Sequence, residues 1–236
     1  MTDPTNAALR ARLDIPLDEL LDRLPRLGRA MVIARSPSML LERLGTIETA
    51  RIEGSALILA GADHDARIET ARVAELVADR TTRMGDRVLP RIELRDAADQ
   101  LTASIVGMEG LEGFDAALAG LPETGLPPLQ RDPPQEGGAA PELAEDDPVL
   151  ALLTPLREAG AEVAITLDVP GMTQGWAGQL PEFRPMMGWF NIISRTFHLH
   201  VEAGAVTAWQ AEPGRRVALG RDGRPTGLVV VSDALA

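Results

Sequence analysis

Two stretches of this 236-residue chain recur later in it, in the same order. Residues 66–80, ARIETARVAELVADR, line up with residues 199–213, LHVEAGAVTAWQAEP, at an offset of 133 (199 − 66). Residues 91–107, RIELRDAADQLTASIVG, line up with 216–232, RVALGRDGRPTGLVVVS, at an offset of 125 (216 − 91). The difference fits one loop deletion. Two collinear matches point to internal duplication, and a duplicated chain must build one unit twice. In this register Arg67 corresponds to His200 and Glu69 to Glu202.

The local patterns are mostly those of short strands. AMVIA at 30–34 reads as a strand, as do ARIEG, SALILAG, the ARIETARVAELVA run, RIELRD and TASIVG, with turn residues between them. After residue 160 the series continues with AEVAITL, MTQGWAG, WFNIISRTFHLHVEAG, VTAWQAE, RRVALG and TGLVVVS. Asp222-Gly223 marks a hairpin between the last two. Helices are expected at 6–30, where leucines recur at 9, 13, 17, 20, 21 and 24 with a break near Pro16. Others are expected over 37–44, with Pro37 in the first turn, over 111–120, and over 149–159. Residues 121–148 hold seven prolines, Gly-Gly and a run of acids, the composition of a linker. The expected organisation is an N-terminal helical segment at 1–30, a first repeat at 31–120, the linker at 121–148 and a second repeat at 149–236.

Several chemistries are excluded by residue type. Without cysteine there is no disulfide, thiolate metal site or cysteine nucleophile. All 23 basic residues are arginine, so Schiff-base chemistry on lysine is excluded. A net charge of −12 opposes a phosphate backbone, and no nucleic-acid partner is expected. The first residues carry no apolar core of a signal peptide, and no run reaches about 18 apolar residues, so neither secretion nor a membrane span is expected. A cytoplasmic location is the simplest expectation. The glycines of 107–113 lack the Lys-Ser/Thr end of a P-loop, and no G-x-S-x-G elbow occurs.

The layout resembles the HemS/ChuX family of haem-utilisation proteins, also called haemin-degrading factors. LPRLGRAMVIARS at 24–36 and RLGTIETARIEGSALILAG at 43–61 look like the start of the family's first repeat, and DAR at 65–67 sits where the family has an arginine on a strand. GMTQGWAG at 171–178 and GWFNIISRTFHLHV at 188–201 look like the second repeat, carried by Trp189, Asn191, Phe197, Leu199 and His200. The resemblance implies an α+β fold of two tandem repeats, each an antiparallel sheet with flanking helices. It implies haem as a carried ligand, held between sheet and helix. It also implies a cytoplasmic role in haem uptake, trafficking or iron acquisition, with a haem oxygenase or another haem-receiving protein as partner. A carrier is implied more strongly than a haem-degrading enzyme. The family's ligand histidine lies near the start of the helix after the linker. Here that stretch, AEDDPVLALL at 144–153, has none, and Asp147 is the nearest equivalent. The family's histidines after the first short strand are also absent from SPSMLLERLG at 36–45.

The residues themselves suggest where a ligand would sit. On a strand, His198, His200 and Glu202 share one face, because side chains alternate. Two imidazoles and a carboxylate suit a first-row metal or a haem iron, and a half-solvated polar face has the same pattern. Arg67 presents a planar fork that matches a haem propionate, and equally one that pairs Asp65 or Glu69. His64, in Asp63-His64-Asp65, reads as a turn residue. Trp176, Trp189 and Trp209 are three of only seven aromatics, suited to a flat ligand or to the core. Met186-Met187 offers soft contacts. Three functions compete: a haem carrier contacted by Arg67, His198, His200, Trp176 and Trp189; a family member without haem in a regulatory or interaction role; and a metal-dependent enzyme using His198, His200 and Glu202.

Overall fold

A computed structural model describes residues 8–127 and 143–235. They form two compact units. The first comprises the residues up to Val32, Gly45–Ala62, and Arg67 onward to the linker; the second comprises Ile33–Leu44, Asp63–Ala66 and the residues from 143 on.

In the first unit the main sheet runs in the order Glu123–Gly125, Arg10–Leu13, Glu75–Asp79, Arg91–Arg95, Leu101–Gly107 and the start of Arg29–Ser36. The registered neighbours are antiparallel. Helix Leu111–Leu118 buries Phe114, Ala117 and Leu118, and Thr49–Glu53 pairs with Ala56–Gly61 as a hairpin. In the second unit one sheet runs Ala208–Glu212, Arg215–Leu219, Pro225–Val231, Glu162–Val169, Met172–Gln179. A second sheet runs from the end of Arg29–Ser36 through Met39–Thr46 and Phe197–Glu202 to Trp189–Ile193.

The duplication is visible inside each unit. The order Glu75–Asp79, Arg91–Arg95, Leu101–Gly107, Arg29–Ser36 has the same connectivity as Ala208–Glu212, Arg215–Leu219, Pro225–Val231, Glu162–Val169. His64–Glu69 and Phe197–Glu202 are both six residues long and bury their first, third and fifth positions. Arg67 and His200 are the fourth residue of each. The fold class is therefore α+β, two antiparallel sheet-and-helix repeats, as expected from the sequence.

Three local expectations are corrected. The leucine spacing over 6–30 yields only a single helical turn, Leu17–Leu20, and a 3-10 turn, Leu24–Leu27. Arg10–Leu13 is instead a strand flanked on both sides, with buried Arg10 lying 3.6 Å from Glu93. Leu9, part of the expected apolar stripe, is 67% exposed. The segment expected as a helix over 37–44 is the strand Met39–Thr46, because two neighbouring strands supply its backbone partners and pairing overrides the helix propensity of Met-Leu-Leu-Glu. His64 does not sit in a turn; it opens a strand and is buried. The middle of the expected linker, 128–142, lies outside the described residues, and its start contributes the short strand Glu123–Gly125.

Gly227 in the second unit has no room for a side chain. It sits at φ 91°, and a Cβ there would lie 1.9 Å from the carbonyl oxygen of Asp168. Gly227→Ala is expected to destabilise the protein by roughly 2–4 kcal/mol through backbone displacement and a left-handed residue. Denaturant midpoints of the two proteins measure this directly.

Candidate functional site

The site is built on the register between Met39–Thr46 and Phe197–Glu202. His198 faces Glu42 and His200 faces Leu40 across the antiparallel pair. Phe197, Leu199 and Val201 point to the buried side, with Leu41 and Arg43 opposite Leu199 and Phe197. The buried Arg43 guanidinium donates to the Gly175 carbonyl (2.9 Å), and the Gln174 amide donates to the Leu41 carbonyl (2.6 Å). Burial pushes the Arg43 guanidinium down, and the charges of Asp63 and Asp65 oppose this. These bonds hold the inner face and leave Leu40, Glu42, His198 and His200 on the other.

Each histidine is oriented by a second partner. His198 Nδ1 lies 2.9 Å from Glu42 Oε2, and its Nε2 lies 2.9 Å from the Ser194 carbonyl. His200 Nδ1 lies 2.6 Å from Asn191 Oδ1. The Asn191 amide nitrogen donates to the carbonyls of Arg184 (3.1 Å) and Trp189 (3.2 Å), so its oxygen is the atom turned to His200. That oxygen accepts, so His200 carries its proton on Nδ1 and leaves Nε2 as a lone-pair donor. This nitrogen is 3.9 Å from Glu42 Oε2, too far for a hydrogen bond.

Around His200 lies a pocket of about 320 Å³ lined by Leu40, Glu42, Met186, Met187, Trp189, Asn191 and His200. Its outer wall is a two-residue hairpin turn. Met186 and Trp189 exchange both backbone hydrogen bonds (3.0 Å each), and Met187 and Gly188 lie between them at φ 54° and 79°. Positive φ at both central positions is the signature of a type I′ turn, which favours Asn-Gly. Met187 takes the place of that asparagine, 78% exposed.

The residues expected from the sequence divide. His198, His200 and Trp189 come together here. Glu202 does not join them: it is exposed at the strand end, paired with Trp189. Glu42 supplies the carboxylate, and among the described residues Glu42, His198 and His200 place ligand atoms within 4.8 Å of one another. Trp176 stacks on Phe197 at 4.3 Å and 8°, so it packs on the strand's opposite face and does not line the pocket. The Trp209 indole N–H donates to the Pro148 carbonyl (2.8 Å). Arg67 is exposed in the first unit, and no ion pair to Asp65 or Glu69 holds it among the described residues. Asp147 caps helix Pro148–Glu158, accepting from the Val149 N–H (2.8 Å), so its carboxylate is engaged in holding that helix. Glu42 was missed because its segment read as a helix. The available signal was Ser36-Pro37-Ser38, a turn between two apolar runs.

No protein-family model matches the chain, and no curated protein matches it in sequence. Solved structures do. The chain is similar to ChuS, described as a heme oxygenase of E. coli, at 15% identity and a TM-score of 0.74, covering 94% of this chain and 83% of that one. It is similar to holo-PhuS, described as a heme-binding protein from Pseudomonas aeruginosa, at 14% identity and 0.73, covering 94% and 81%. A further structure of ChuS from Escherichia coli O157:H7, described as a heme degrading enzyme, matches at 16% identity and 0.74, again covering 94% and 81%. The fold of this protein is thus the fold of these haem-handling proteins, in agreement with the resemblance read from the sequence.

Two outcomes follow from the site's geometry. Burial raises the Glu42 carboxyl, but the hydrogen bond with His198 and the charge that both rings carry once protonated at acid pH outweigh it, bringing it from 4.5 to about 2. A carboxyl depressed in the folded state contributes stability above its unfolded value and loses it as pH falls through the folded one. The stability advantage of the wild type over Glu42→Gln is therefore expected at pH 5 and to fade between about 4.5 and 2, read from denaturant midpoints across that range. Met187→Asn is expected to raise stability by roughly 1 kcal/mol, since asparagine tolerates the left-handed region better; a lowered midpoint would contradict this.

Proposed function

We propose that this protein binds haem in the second unit, with His200 Nε2 as the iron ligand and Leu40, Met186, Met187 and Trp189 as the apolar bed of the porphyrin. The observation that carries the reading is the state of His200. One ring nitrogen is fixed by Asn191 and the other is left as a donor beside a mainly apolar, open pocket. Neutral imidazole with a fixed tautomer is the usual protein ligand of haem iron. The shared fold with ChuS and PhuS supports the choice of haem over other flat ligands. Arg67, exposed at the equivalent strand position of the first unit, is suited to pair a carboxylate there. The protein acts as a cytoplasmic carrier in haem uptake or trafficking, releasing haem to a haem oxygenase or another receiving protein.

Haemin titration tests this. The wild type is expected to give a saturable Soret change at one equivalent, and His200→Ala to weaken binding by about tenfold or more. Absorbance that rises linearly with haemin, without saturation, would sink the reading. A carrier keeps its Soret band when an electron donor and oxygen are added; bleaching would mark an enzyme instead.

A further inference from the structure

We infer that Glu42, His198 and His200 form a binding site for a first-row divalent transition-metal ion, separate in chemistry from haem. Three observations carry this. The ligand atoms already converge: one atom from each residue lies within 4.8 Å of the other two. A tetrahedral ion with bonds of about 2.1 Å needs donors about 3.4 Å apart, so small side-chain rotations close the site. Both imidazoles are held from behind, His198 Nε2 by the Ser194 carbonyl and His200 Nδ1 by Asn191 Oδ1, each turning its other nitrogen toward Glu42. Metal-binding histidines are held in this way, by an acceptor on the nitrogen that does not bind the ion. The donors also sit on two paired strands, opposite one another in register, so the backbone positions them.

The donor set selects the class of ion. Two nitrogens and one carboxylate oxygen suit Zn(II), Fe(II) or Co(II) and give too few oxygens for Ca(II) or Mg(II). Three protein ligands leave at least one coordination position, and the pocket lined by Leu40, Met186, Met187 and Trp189 adjoins it. An ion there would hold water or a small anionic ligand against an apolar wall. Glu202, the carboxylate expected from the strand pattern, takes no part, since Glu42 already faces both rings.

The inference rests on the geometry of the three side chains and not on haem binding. It is tested on haem-free, chelator-treated protein with Co(II) as the probe. Wild type is expected to bind one equivalent, with the intense visible bands of low-coordinate Co(II), displaced by Zn(II). Glu42→Gln and His200→Gln are each expected to weaken binding by at least about tenfold, as is Asn191→Ala through loss of His200 orientation. Glu202→Gln is expected to bind as the wild type does. Circular dichroism establishes that each variant is folded; if one is not, Glu42→Asp, which keeps the charge but shortens its reach, takes its place and is expected to weaken binding as well. Absence of a saturable Co(II) spectrum in the wild type overturns the inference, and so does an unchanged spectrum in folded Glu42→Gln. A flat haemin titration would leave it standing, because no haem enters the measurement.

Discussion

The antiparallel register between Met39–Thr46 and Phe197–Glu202 decides what each side chain in the second unit can do. With Glu42 opposite His198, the residues Leu41, Arg43, Phe197, Leu199 and Val201 share the buried face. A slip of one residue would carry Glu42 into that interior and bring Arg43 out, since side chains alternate at every step. The buried bonds resist this. Arg43 reaches the Gly175 carbonyl and Gln174 reaches the Leu41 carbonyl, and both require the observed face. Packing on one side of the strand thus specifies chemistry on the other.

The same residues show how far the fold and site could be read from the sequence. The duplication was legible because strand periodicity and turn chemistry survive in both copies, and Arg67 and His200 do occupy equivalent strand positions. The row of His198 and His200 was legible for the same reason: a period of two puts them on one face whatever the strand pairs with. Glu42 was not legible, because the identity of a cross-strand neighbour is set by tertiary pairing and its own segment has the composition of a helix. Glu202 was chosen in its place from spacing within one strand, which says nothing of the strand beside it. Asp147 shows a different limit. Its place before a helix was visible, yet only its bond to the Val149 N–H shows that it serves the backbone.

Asn191 links the architecture of the pocket to its chemistry. Its side-chain nitrogen binds carbonyls of the hairpin at Arg184 and Trp189, which closes at the Met187–Gly188 turn. Its side-chain oxygen fixes the tautomer of His200. One buried amide therefore holds the apolar wall and the donor nitrogen in a common frame. The turn itself keeps a methionine where asparagine would be more comfortable, and the cost is met by the surrounding pairing. An exposed, adaptable thioether at the pocket mouth is what a large flat ligand could pack against, which gives the strained position a reason beyond the turn.

Haem iron and a free metal ion make different demands on this arrangement. Haem needs one neutral imidazole and a wide apolar surface; an isolated ion needs the carboxylate and both rings. His200 Nε2 belongs to both sets and has a single lone pair, so the two ligands exclude each other at that atom. The side chains that differ are Glu42 and His198 for the ion and Met186, Met187 and Trp189 for the porphyrin, with Glu42 lining the same pocket as the latter three. With both proposed ligands drawing on His200 Nε2, occupancy by one would be coupled to release of the other. By linkage, an ion that binds only the haem-free form lowers haem affinity by the factor of its own binding, and the reverse holds equally.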